Sequence, residues 1–185
     1  MTKKISIIGA ESTGKSTLAQ LLADYFNSKY IPEYAREYIS GLKKKYVYKD
    51  LIFIAKKQIE LEQNYVSNDK FIFLDTDLII TKIWFLEVFD KIPDWIDKEI
   101  LANKADFYLL CNNDVEWKED PIRENGGERR EYLFNLYENE LIKINAKYKI
   151  ITGTGTKRFN NAKKTIFNFQ ATDKNPQRTS ATPEF

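Results

Sequence analysis

The sequence predicts an α/β fold, with a parallel sheet of five strands buried between helices on both of its faces. Three observations predict it. Five short apolar runs recur along the chain, each separated from the next by helix-like sequence. The first run, Lys4 to Ile8, is rich in isoleucine, alternates poorly and stops at Gly9, as a strand covered on both sides should. The 185 residues are the size of one domain and enough to bury a core without a covalent staple.

The elements follow in order. After the first strand, Leu18, Leu21, Leu22, Tyr25 and Phe26 recur at spacings of three and four, which assigns them to one face of a helix. KYI at 29–31 is the second strand, and Tyr48 to Val66 reads as a helix. KFIFLD at 70–75 is the third strand, followed by helices over Leu78 to Phe89 and Pro93 to Leu101. DFYLLC at 106–111 is the fourth strand. NNDVEWKEDPIRENGG, at 112–127, is polar and broken by Pro121 and a glycine pair, so it is expected to be a long loop that can move. From Arg129 to Tyr148 a long helix places Leu133, Tyr137, Leu141 and Ile144 on a core-facing stripe, and YKIIT at 148–152 is the last strand. A single domain is expected over 1–170, with a polar tail from Ala171 to Phe185.

Composition narrows the chemistry. Lys and Arg number 29 against 27 Asp and Glu, and a net charge of +2 is too small to imply a nucleic-acid or membrane partner. The run Lys43, Lys44, Lys45 reads as solvated surface. A single cysteine, Cys111, excludes an internal disulfide and fits a reducing compartment, so a cytoplasmic protein is expected. No run approaches the roughly 20 apolar residues of a membrane span. With no histidine in the chain, a general base must be a carboxylate.

GAESTGKS, Gly9 to Ser16, satisfies the phosphate-loop pattern GxxxxGK[ST] and stands between a strand and a helix, the context that confirms it. Its glycines let backbone N–H groups turn inward at anionic oxygens, and the helix N-terminus adds its positive end. Lys15 is expected to reach the β- and γ-phosphates of ATP, and the Ser16 hydroxyl to take one position on Mg²⁺. Asp75 ends the third strand beside this loop and is assigned to the metal. Asp77 is left facing substrate, the alternative being that it caps the helix that follows.

Asn103, Lys104, Ala105 and Asp106 spell NKxD, but they precede the fourth strand, whereas a loop that reads guanine must leave a strand at its C-terminal edge. A motor ATPase would carry a partner-facing module that the chain lacks. Arg123, Arg129 and Arg130 lie in and just after the loop of 112–130, where a lid could bring guanidinium charge over a transferred phosphoryl group and exclude water. The second strand runs into PEYAREY, in which Glu33 is the expected base and Arg36 the residue that fixes the acceptor, unless both are helix-surface charges. These features together point to a small-molecule kinase.

GAESTGKST, PEYAREY, FLDTDLIITKIW and DVEWKEDPIRE resemble the nicotinamide riboside kinase domain of NadR-type proteins, in order and from Lys4 to about Phe169. The resemblance implies a P-loop kinase with a five-stranded parallel sheet and a lid after strand four. It implies use of ATP and Mg²⁺ to phosphorylate the ribose 5′-hydroxyl of nicotinamide riboside, here in a stand-alone kinase. Carried onto this chain, Gly9, Glu11, Ser12, Thr13, Gly14, Lys15, Ser16 and Thr17 match the ATP loop; Arg129 after the lid and Arg158 opening the last helix are expected, from their positions, as further ATP contacts. Glu33, Tyr34, Arg36 and Asp77 match the riboside-binding positions, Asp75 the metal position, and Trp117, Asp120 and Arg123 the lid. Pro32 stands where the family carries a tryptophan that stacks on the nicotinamide ring; Tyr30, Tyr34, Trp84 and Trp117 are the aromatics that could replace it. Gly153 and Gly155 after the last strand either border the adenine or make a tight turn.

Overall fold

The computed structural model describes residues 2–65, 68–117 and 127–173. Five strands form one sheet: β1 (Lys3–Gly9), β2 (Lys29–Ile31), β3 (Phe71–Asp75), β4 (Phe107–Cys111) and β5 (Tyr148–Ile151). Their order across the sheet is β2-β3-β1-β4-β5 and every pairing is parallel. The connections are α1 (Lys15–Tyr25), α2 (Tyr34–Ser40), α3 (Tyr48–Gln63), α4 (Leu78–Phe89), α5 (Ile96–Ala102) and α6 (Arg129–Lys143), and α7 (Gly155–Asp173) closes the described chain.

The strands sort their side chains by alternation. Ile5 and Ile7 of β1 and Phe107 and Leu109 of β4 pack with Leu18 and Leu22 of α1 and Ile166 of α7. Ile8 and Leu110, one residue out of phase, pack on the opposite face with Leu51 of α3, Ile79 and Ile83 of α4, and Leu133 and Leu141 of α6. The sheet is therefore covered twice, as the near-continuous apolar runs require. Ile7 lies opposite Asp75, and Gly9 opposite Cys111, so the C-terminal ends of β3, β1 and β4 open at one edge, where α/β sheets bind ligands.

One helix face and several boundaries differ from expectation. On α1, Leu21 and Tyr25 are exposed while Ala19 and Ala23 are buried beside Leu18 and Leu22; the small alanines set the helix close to the sheet and turn the wider stripe outward. α5 starts at Ile96 because the Ile96 N–H returns to the Pro93 carbonyl as a turn. α6 stops at Lys143, where Asn145 takes a left-handed φ of 48° and the Ala146 N–H closes on Leu141. α7 continues through Asp173, past the expected start of the tail at Ala171.

α4 is apolar almost all round; Leu78, Ile79, Ile83 and Phe85 are buried, while Leu86 and Val88 near its end are exposed. Its one buried cation, Lys82, reaches Glu140 of α6 at 2.5 Å and Asp97 of α5 at 2.8 Å, which ties the three helices together. Burial alone would push the ammonium down; the two carboxylates reverse this and hold it above the ordinary lysine value.

Candidate active site

The phosphate loop leaves β1 at Gly9, whose φ of +147° and position demand glycine: a Cβ there would sit 2.8 Å from the Cys111 carbonyl oxygen. Ser12 and Gly14 take left-handed φ of 57° and 77°, so successive amides turn into the concavity. The Thr13 hydroxyl donates to the Ala10 carbonyl at 2.8 Å, and the Lys15 ammonium donates to the same oxygen at 3.0 Å, arching over the loop. Among the described residues no side chain caps α1 and no acid lies in its first turn, so its positive end is left for a ligand.

Arg158 braces this loop from behind. It is 3% exposed, and its guanidinium donates to the carbonyls of Thr13, Asn112 (2.9 Å) and Gly153 (2.6 Å) and to the Asp114 carboxylate. An arginine so engaged holds the loop against the ends of β4 and β5, at the back of the phosphate loop. Gly153 and Gly155 have φ of 93° and 50°, the left-handed values of a tight turn.

Asp75 is 2% exposed at the end of β3. Its Oδ2 accepts the Tyr30 hydroxyl at 3.3 Å, and with burial this pushes the phenol up to about 12. Its Oδ1 is buried and has no hydrogen-bond partner among the described residues. A hard divalent cation with its water shell fits this orphaned oxygen and the exposed Ser16 hydroxyl in the same cleft. No cluster of three or more acidic, Cys or His residues among those described forms a protein-only metal cage, so such an ion would rest largely on phosphate.

The loop opens into a cleft of about 1320 Å³ that continues between α2, the segment after it, α4 and α6. Glu33, at the N-cap position of α2, stands in its wall with Arg36. Burial pushes the Glu33 carboxyl up, Lys15 and Arg36 pull it down, and Asp75 and Glu11 push it up again, so these five groups share one electrostatic neighbourhood. Further along, the Trp84 indole N–H donates to the Tyr46 hydroxyl at 3.0 Å, with the rings edge to face at 5.0 Å. Glu87 accepts from Arg129 at 2.7 Å and from the Tyr132 hydroxyl at 2.9 Å.

Of the expected site residues, Gly9, Glu11, Ser12, Thr13, Gly14, Lys15, Ser16, Thr17, Glu33, Arg36, Asp75 and Arg129 line this one cleft. Besides Arg158, three more lie elsewhere. Asp77 caps α4 by accepting the Ile79 N–H at 2.9 Å and is buried beside Tyr108, the alternative the sequence left open. Tyr34 packs its ring on Tyr38 and Phe53. Trp117 lies 6.0 Å from the Arg130 guanidinium, which itself donates to the Val115 carbonyl. Asp120 and Arg123, with the rest of 118–126 in the expected lid, lie outside the described residues. The NKxD segment is at the opposite edge, where Asp106 receives the Lys4 N–H at 2.8 Å.

The cleft also holds residues that sequence reasoning assigned elsewhere. Lys43, Lys44 and Lys45 line it, as do Leu133 and Tyr137 of the stripe on α6. A charge run and a helical apolar stripe carry no mark of the ligand side, so neither signal could have found them.

A five-stranded parallel sheet in the order 2-3-1-4-5, with this loop after β1 and an acid at the end of β3, defines a P-loop protein of kinase-like fold. The chain belongs to the AAA domain family, whose model matches residues 4–158. It is homologous to the trifunctional NAD biosynthesis/regulator protein NadR of Salmonella typhimurium (strain LT2), at 28% identity over 150 residues, 77% of this chain and 36% of that protein. The chain thus spans about a third of the length of the curated relatives it matches. NadR structures in complex with NAD and AMP-PNP, and with NR, superpose with TM-scores of 0.74 and 0.73 at 21% and 23% identity, covering 100% and 92% of this chain and 52% of theirs. A deoxyadenosine kinase from M. mycoides gives 0.60 at 18% identity, covering 89% of this chain and 99% of its own. Among the described residues no helix is long and apolar enough to cross a membrane.

Proposed function

We propose that this domain is an ATP-dependent kinase that transfers the γ-phosphoryl group to the ribose 5′-hydroxyl of nicotinamide riboside, yielding nicotinamide mononucleotide for NAD salvage. One observation carries the reading: Lys15, Asp75, Glu33 and Arg36 line a single cleft that runs on, past the phosphate loop, into an aromatic-walled half large enough for a riboside. Homology to NadR, and the NR of one of those complexes, which we take as nicotinamide riboside, support this choice of acceptor.

The loop amides and the positive end of α1 hold the β- and γ-phosphates, and the Lys15 ammonium exchanges the Ala10 carbonyl for their oxygens. Magnesium, held by Ser16 and Asp75, would supply neutralising charge on the phosphoryl oxygens. Arg36 orients the riboside, and Glu33 accepts the proton of the attacking hydroxyl; a carboxyl raised by burial is better matched to that task near neutral pH. Arg129, and Arg123 of the lid, add charge where the transferred group carries it. Trp84 and Tyr46 provide the aromatic wall that Pro32 does not, and a cationic pyridinium is held there by the ring faces.

The test is incubation with Mg-ATP and a panel of ribosides, following ADP and phosphorylated acceptor. Transfer to nicotinamide riboside above all others supports the proposal. Preference for an ordinary nucleoside or deoxynucleoside would replace the acceptor, and ADP release indifferent to every acceptor would make this a regulatory ATP-binding module.

A further inference from the structure

Thr76, between Asp75 and Asp77, has no part in the reaction as described so far, yet its backbone is the least comfortable near the cleft. Its φ is +96°, a conformation that a β-branched residue takes only when its surroundings force it. β1 supplies the force: the Thr76 N–H donates to the Ile7 carbonyl at 3.1 Å, and the Ser6 hydroxyl donates to the Thr76 carbonyl at 3.2 Å. Glycine would accept the same backbone without strain. What threonine adds is a hydroxyl, and that hydroxyl is buried, in a residue 4% exposed, without a hydrogen-bond partner among the described residues.

Thr76 lines a second, small cavity behind the cleft wall, together with Glu33, Gln58, Thr81 and Trp84. The cavity offers about 10 Å³ to the centre of a water molecule, roughly what one water needs, and its polar lining supplies the two to four partners that hold a buried water in place. Gln58 is itself fixed there: its amide oxygen accepts the N–H of Tyr34, the residue after Glu33, at 3.0 Å.

We propose that one water molecule binds in this cavity and bridges the Thr76 hydroxyl to the Glu33 carboxylate, making Thr76 a positioning residue for the base. The role rests on the reading of Glu33 as the group that takes the acceptor's proton. Thr76 donates to the water, and the water donates to one carboxylate oxygen, which turns the other toward the attacking hydroxyl. The same hydrogen bond favours the ionised carboxylate against the burial that opposes it. Both oddities then have one cause: the forced backbone delivers the hydroxyl, and the orphaned hydroxyl is completed by the water.

Two measurements test this. A high-resolution crystal structure of the full chain should show one ordered water within hydrogen-bond distance of Thr76 Oγ1 and a Glu33 carboxylate oxygen; an empty or apolar-filled cavity overturns the proposal. Kinetics on whichever riboside the wild-type protein phosphorylates should show Thr76→Val about tenfold or more lower in kcat, with KM for ATP and acceptor unchanged, and Thr76→Ser restored to near wild type. Thr76→Gly, which relieves the backbone, should be at least as heat-stable as wild type and as slow as Thr76→Val. Full kcat in folded Thr76→Gly or Thr76→Val would overturn the role. If the wild-type protein phosphorylates no riboside, the proposed function fails, while the crystallographic water still decides the site.

Discussion

Replacing Glu62 by Gln should stabilise the protein above neutral pH and leave its stability unchanged at pH 4.5. Glu62 is 9% exposed on the sheet side of α3. Burial raises its pKa from 4.5 to about 7, the charge of Asp77 pushes the same way, and Lys4 and Gln58 push back. The opposing contacts are long, 3.9 Å to the Lys4 ammonium and 3.5 Å to the Gln58 amide, which is why desolvation wins. Between pH 4.5 and about 7 the folded chain keeps a proton at Glu62 that the unfolded chain has released. Stability therefore falls as pH rises through that window, by about 3 kcal/mol at 1.36 kcal/mol per unit. The amide of Glu62→Gln never ionises and escapes this loss. Thermal unfolding of both proteins at half-unit steps from about pH 4.5 to about pH 9 reads the effect as a difference in Tm, from which groups titrating alike in both cancel. The difference should start near zero and level off above pH 8 with the variant roughly 6–12 °C higher. A difference independent of pH, or a wild-type advantage that grows with pH, would refute the reasoning.

Three further outcomes are expected. Lys15→Ala should lower kcat at least a hundredfold with Tm held, because it removes charge from the transferred group and nothing from the core; full activity would take Lys15 out of the mechanism. Gly9→Ala should cost roughly 1–3 kcal/mol in urea unfolding, since its Cβ meets a backbone oxygen at 2.8 Å and its φ is +147°; an unchanged midpoint would contradict the geometry. Arg158→Met should cost about 3 kcal/mol and weaken ATP binding in calorimetric titration, because the loop loses its brace and Asp114 its partner; wild-type ATP affinity in the folded variant would show that the loop needs no brace.

The sheet was legible because each strand is a short apolar run bounded by polar or glycine residues, and a doubly covered parallel strand has no other pattern to offer. β2 stands at the expected bounds, and so does α4, a helix that Asp77 caps at its start. The phosphate loop was legible because Gly9 and Gly14 are required by backbone geometry, and geometry leaves its mark in the residue type. Roles set by long-range packing were not. Arg158 looks like any arginine opening a helix, and only the meeting of β4, β5 and the loop turns it into a brace. Leu133 and Tyr137 obey the core period of α6 faithfully, yet that stripe overhangs the cleft. Tyr34 and Trp117 stand at positions that the family resemblance marks, but an aromatic ring suits packing on Phe53 or beside Arg130 as well as it suits a ligand.

The segment Asp75, Thr76, Asp77 shows where the limit lies. Written out, its two acids are equivalent, two residues apart at the end of a strand, and a continued strand would send both side chains the same way. The structure separates them because Thr76 takes a left-handed φ between them. Asp75 stays in the sheet and turns into the cleft, with one oxygen on Tyr30 and the other unengaged by the described residues. Asp77, beyond the reversal, turns back to cap α4 and joins Tyr108 on the buried side. One dihedral thus decides which acid lines the cleft and which holds a helix. Threonine in that position conceals it, because a left-handed residue is read from a sequence only when it is glycine or asparagine.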